Sequence, residues 1–163
     1  MARSDMARSD IRPYGRLDPA RLTMLETGLG RTLPPVYRAW LAATNGAYIV
    51  GEHGIHGCPF LLYEERPLFG VHQHFRPFDL FAADTLYRRP WLSADHLVFA
   101  APSGGLLVVR VSPPAADAVF FLPEDAMTGQ PGAAADAVRE RHLVPLADDI
   151  NDFGHQLRKG DPA

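Results

Sequence analysis

The sequence predicts an α+β domain, because helical patterns stand towards its two ends and strand patterns fill its middle. Three observations carry this. Two capped helix signals occupy residues 18–46, the clearest β pattern runs from Leu97 to Leu122, and an amphipathic helix follows Asp148. The expected architecture is an N-terminal helical hairpin, an antiparallel-rich central sheet and a C-terminal closing helix.

Asp18-Pro19 opens the first helix. The Asp18 carboxylate is placed to accept from free N–H groups of the first turn, and Pro19 sits where a missing N–H does no harm. Leu22, Leu25 and Leu29 follow as one apolar stripe, and Gly30 suits the left-handed residue that ends a helix. Pro34-Pro35 opens a second helix carrying Val36, Tyr37, Trp40 and Leu41, which Asn45-Gly46 closes. Ala47 to Val50 then predicts a short strand, followed by a glycine- and histidine-rich loop through Gly57. Phe60 to Tyr63 and Leu68 to Val71 are further strand candidates, and Phe78 to Tyr87 is a helix candidate with Asp79 as its cap. Leu97 to Ala101 and Leu106 to Val111 flank Pro102-Ser103-Gly104-Gly105, a hairpin signal, and Ala118 to Leu122 returns as a third strand. Gly129 to Ala137 predicts a mobile excursion. Ile150, Phe153 and Leu157 give the last helix its stripe, with Asp148, Asp149 and Asp152 at the positive end of its dipole.

Length and composition restrict the function classes. The 163 residues suit one core, with 47% hydrophobic and 21% charged residues. The tandem MARSD at 1–5 and 6–10 points to a disordered start or cloning scar over 1–12, leaving one domain over 13–160. No apolar run approaches the ~20 residues that cross a bilayer. Neither a signal peptide nor a disulfide framework is visible, Cys58 being the one cysteine, so a cytoplasmic protein without membrane contact is expected. Lys159 is the one lysine among arginines, a bias expected of a GC-rich bacterial genome. The net charge is −3, and Asp117 to Asp161 holds nine acids against four bases. Phosphate contact needs Lys and Arg, so nucleic acid is excluded as the partner of this half and a basic protein fits better.

No motif for dinucleotide, phosphate-loop, zinc-protease or serine-hydrolase chemistry occurs. His53, His56, His72, His74 and Cys58 are the residue types a zinc site needs, and they define the metal-enzyme alternative. Against it, His53 and His56 sit in a glycine-flanked loop with nothing to order their rings, and His72-Gln73-His74 fits a solvated strand end. Cys58 has His56 near it but no third residue to orient a base. Glu64-Glu65 and Glu124-Asp125 are neighbours in sequence, and neighbours on a strand point to opposite faces rather than to one substrate atom. No catalytic residue, metal ligand or cofactor is therefore assigned.

The order of landmarks resembles the SUKH superfamily, which includes bacterial immunity proteins and yeast cell-wall-synthesis regulators. Leu33-Pro34, Tyr37, Leu41 and Asn45-Gly46 within LETGLGRTLPPVYRAWLAATNG are similar to that family's opening. VPLADDINDFGHQL looks like its closing helix. Ala47 stands where a second glycine is common, and the histidine-rich loop with residues 64–90 does not align. The resemblance implies a non-enzymatic domain that neutralises a cognate toxin, such as a basic nuclease or deaminase, by covering its active site. A regulatory or scaffold domain with an endogenous partner is the alternative on the same fold. Charge and expected exposure make Glu52, Glu64, Glu65, Asp79, Glu124 and Asp125 the candidate contacts.

Overall fold

A computed structural model of the protein describes residues 10–88, 91–127 and 140–160. The MARSD repeat up to residue 9 and the expected excursion at 129–137 lie outside the described residues. The elements run β1 (Ile11–Pro13), α1 (Pro19–Leu29), α2 (Pro35–Thr44), β2 (Ala47–Ile49), β3 (His53–Gly54), α3 (Leu80–Arg88), β4 (His96–Ala100), β5 (Gly105–Arg110), β6 (Val119–Pro123), β7 (Val144–Ala147), α4 (Ile150–Gln156) and β8 (Arg158–Lys159). The protein is α+β, with antiparallel strand pairing throughout its sheets.

Strands β4 to β7 form a four-stranded meander, and β1 pairs with β2 as a short ribbon. Leu68 joins them by pairing with Ala47 on one side and Ala100 on the other. A separate pair, β3 with β8, brings the chain beyond α4 back beside residues 53–54. Every residue from His96 to Val109 is buried apart from the turn at Ser103-Gly104, which requires cover on both sheet faces. Phe99 supplies the contact between layers, its ring lying 6.0 Å from Tyr37 of α2 and 5.7 Å from Phe153 of α4. Burying each such ring contributes about 1.5–3 kcal/mol.

The helix boundaries follow the expected chemistry. The Arg21 N–H donates to the Asp18 carboxylate at 2.9 Å, and Gly30 is left-handed at φ 69°. Asn45 ends α2 at φ 54° and does more than stop it. Its side chain accepts from the Val71 N–H at 2.6 Å and donates to the Val71 carbonyl at 3.2 Å, as a strand neighbour would. Two glycines permit that approach. A Cβ on Gly70 would sit 1.9 Å from the Asn45 carbonyl oxygen, and one on Gly46 would sit 2.5 Å from the Leu68 oxygen.

Several elements differ from the sequence expectation. Structure begins before residue 13: Asp10 accepts from the Val50 N–H, and Ile11 is buried opposite Ile49. The expected strands at 60–63 and 68–71 are rungs of single bridges, because their partners are turns and ribbon ends too short to make a ladder. Strand β7, unread in the sequence, is a half-exposed edge with Pro145 inside it, where a short apolar run without alternation does not mark a strand. The hairpin of α1 and α2 is clasped by Glu26, while α1 packs on α3 and α2 on α4.

Candidate functional site

The carboxylates divide by what they touch. Asp84, with its side chain 3% exposed, accepts from Arg31 at 2.8 Å and Arg88 at 3.1 Å, and its other oxygen accepts from the Val98 N–H at 2.8 Å. Both guanidiniums also donate to the His96 carbonyl, so α1's outgoing loop, α3 and β4 meet at one acid. Asp117 accepts from the Val36 and Tyr37 N–H groups at 3.1 and 2.8 Å. The N-cap residue of α2 is Pro34, which has no polar side chain to offer, so Asp117 caps the helix from a turn about 80 positions later. Glu26 accepts from the Leu33 N–H and two Arg38 nitrogens. Burial pushes its carboxyl up, and these partners overcome that and hold it below the usual range.

The histidines are ordered differently from the sequence expectation. His53 is fully buried on β3, and its Nε2 lies 2.9 Å from Asp10 Oδ2. The ring is held by a partner 43 residues upstream, inside the segment set aside as a start region, which no local pattern could reveal. His56 is exposed in the adjoining loop. Cys58 is half-buried, and burial pushes its thiol up to about 11, away from thiolate chemistry. His72 belongs to a turn, not a strand: its N–H donates to Asp79 and its ring lies edge-on to Tyr14 at 4.5 Å, while His74 is exposed. His96, unnoticed in the sequence, is buried with its Nδ1 3.7 Å from Glu140. Among the described residues no three His, Cys, Asp or Glu side chains group as a metal site would require.

Five of the six candidate contacts share one end of the molecule, brought there by backbone pairing. Leu61 and Ser103 exchange hydrogen bonds, as do His53 and Leu62, and the Glu124 N–H donates to the Gly104 carbonyl. Glu52 precedes His53, Glu64 and Glu65 form the turn closed by Tyr63 and Arg66, and Glu124 and Asp125 open the 3-10 turn after β6. All five are exposed. Asp79 is half-buried elsewhere, one oxygen accepting from the His72 N–H and the other from the Ala82 N–H, so it caps α3 as its position in the sequence suggested. Among the described residues Glu52, Glu64, Glu65 and Glu124 make no side-chain hydrogen bond or ion pair. No helix in the described residues is long and apolar enough to cross a membrane.

Among the described residues the arrangement gathers exposed carboxylates at one end. No curated protein matches the sequence. The model of the SMI1 / KNR4 family (SUKH-1) matches residues 16–154, nearly the whole described fold. Membership of that family supports an immunity- or regulatory-type domain with a protein partner. The helical opening, the meander and the first turn of the closing helix lie within the matched span, and the chain belongs to the SMI1 / KNR4 family (SUKH-1).

Proposed function

We propose that this chain is a cytoplasmic immunity protein that binds one cognate bacterial toxin and neutralises it by covering the toxin's active site. The observation that carries the reading is the gathering of Glu64, Glu65, Glu124 and Asp125, with Glu52 beside them, at the end that holds the Ser103-Gly104 turn. Among the described residues Glu52, Glu64, Glu65 and Glu124 stand outside the ion pairs and caps that hold the fold. A nuclease or nucleic-acid deaminase presents a basic cleft to its substrate, and exposed carboxylates on a rigid scaffold complement such a cleft. Their field would speed encounter, and packing around them would determine how long the complex lasts. The domain itself would carry out no reaction.

Co-expression with the toxin encoded beside this chain's gene tests the reading, with cell survival as the measurement. Survival is the expected result, and death at matched expression would overturn it. Replacing Glu64, Glu65, Glu124 and Asp125 with lysine should slow association about tenfold and weaken its salt dependence. Unchanged rates would remove these residues from the contact surface.

A further inference from the structure

The chain's one lysine stands in the wall of a cavity that the toxin reading leaves unused. This cavity, of about 430 Å³, lies where β8 returns beside β3 and the loop after β3 turns back toward Phe60. Ile55, Pro59 and Leu61 give it an apolar side, and Arg158 and Lys159 give it two cations. Among the described residues no acidic side chain lines it. Cys58 adds no negative charge, because burial pushes its thiol up to about 11 and keeps it protonated at neutral pH. A space of this size suits a small organic molecule rather than a lone ion.

The donors around the cavity are held in place but unspent. One nitrogen of Arg158 donates to the His155 and Leu157 carbonyls at 2.6 and 3.0 Å, which fixes the guanidinium. Its other nitrogens have no partner among the described residues. Lys159 lies over Gly51, its Cε 3.5 Å from where a Cβ would stand there. Glu52 borders the same ladder, its carbonyl accepting from the Gly160 N–H at 3.1 Å. Even so, among the described residues its carboxylate pairs with neither cation. In the loop, the Cys58 N–H closes a turn on the Ile55 carbonyl, with Gly57 left-handed at φ 82°. The N–H groups of His56 and Gly57, both in the cavity wall, find no acceptor among the described residues. Successive unpaired N–H groups in a turn favour an anion.

We propose that this cavity binds a free small organic anion, one with an apolar body and a single carboxylate or phosphate head. The body packs on Ile55, Pro59 and Leu61, and the head meets Arg158, Lys159 and the turn at His56-Gly57. This goes beyond the toxin reading and does not rest on it. An inorganic ion fits less well, because it leaves the apolar side in water. A polyanion such as nucleic acid also fits less well. It would run from the two cations onto Glu52 and onto Glu124, which binds Gly104 beside the Pro59 carbonyl.

The test is a heteronuclear NMR titration of the full chain with phenylacetate and with phenyl phosphate, using neutral phenylacetamide and inorganic phosphate as controls. At least one of the two anions should give saturable amide shifts confined to residues 54–61 and 158–160, with about tenfold higher affinity than either control. Lys159→Glu should cost that ligand about tenfold, while Lys159→Arg retains it. Glu124→Lys, at the acidic end, should not weaken it. Shifts that fail to saturate, equal affinity for phenylacetamide, or undiminished binding to Lys159→Glu would each overturn the proposal. So would tenfold tighter binding of a capped phosphotyrosine peptide than of phenyl phosphate, which would move the site to a protein partner. The amide spectra themselves check that the variants, at exposed positions, remain folded. Because no toxin is used, failure here leaves the rescue experiment standing, and failure of rescue leaves this result readable.

Discussion

Beside β4, Asp84 is enclosed by Arg31, Arg88 and a strand N–H, whereas at the Ser103-Gly104 end Glu64, Glu65, Glu124 and Asp125 stand in solvent. The residue chemistry is the same and the consequences are opposed. Once buried, a carboxylate must be paired, and removing it strands two guanidiniums and a backbone donor away from water. Left exposed, a carboxylate is screened and contributes little to the fold, which leaves it available to a partner. The contrast teaches that net charge describes the surface poorly here, since the buried acids are already committed.

The sharpest way to break the comparison is Asp84→Ala. It should cost about 3–5 kcal/mol in urea unfolding, and a loss below about 1 kcal/mol would mean that Arg31 and Arg88 reach water without it. Asp117→Ala should cost about 1–2 kcal/mol, the usual worth of a helix cap, although this cap comes from a distant turn. Asp117→Asn should fall between Asp117→Ala and the parent, because asparagine tolerates the φ of 78° found there but has one acceptor oxygen for two N–H donors.

Histidine titration gives a smaller effect whose sign follows from burial. His72 and His96 are both held below the ordinary imidazole value chiefly by burial. Around His72, Asp79 opposes this and Arg21 reinforces it. Around His96, Glu140 and Asp95 oppose it while Arg110 and Arg88 reinforce it. The unfolded chain therefore takes up protons first as pH falls. Stability is full above the unfolded value of about 6.5 and declines as pH drops from there toward the lowered folded values. The melting temperature should fall in that window, and His72→Gln/His96→Gln should flatten the fall. Smallest of all, lysine at Glu64, Glu65 and Glu124 should change stability by less than about 0.5 kcal/mol per site. A larger loss would show that the acidic end supports the fold after all.

Elements bounded by local chemistry were legible beforehand. Asp18-Pro19 with Gly30, Asn45-Gly46, the hairpin around Gly104 and the Asp79 cap each act within a few residues, so sequence displays both partners. The candidate acidic contacts were legible only as exposed charge. Their common location depends on the pairing of Leu61 with Ser103 and of Glu124 with Gly104, contacts between segments far apart in the chain. Asp117 counted in the sequence as one more surface acid, yet it is the cap of α2. His53 looked like a loop residue because Asp10 and Leu62, which order it, carry no local signal.

By itself the sequence determined the α+β class, the caps, the central hairpin and the likeness to the SUKH group, because periodicity and turn chemistry operate over short spans. Tertiary structure alone decided which carboxylates are buried in ion pairs and caps and which stand exposed. The reason is that desolvation depends on what the folded chain brings alongside a group, and a residue's neighbours in space are not its neighbours in sequence.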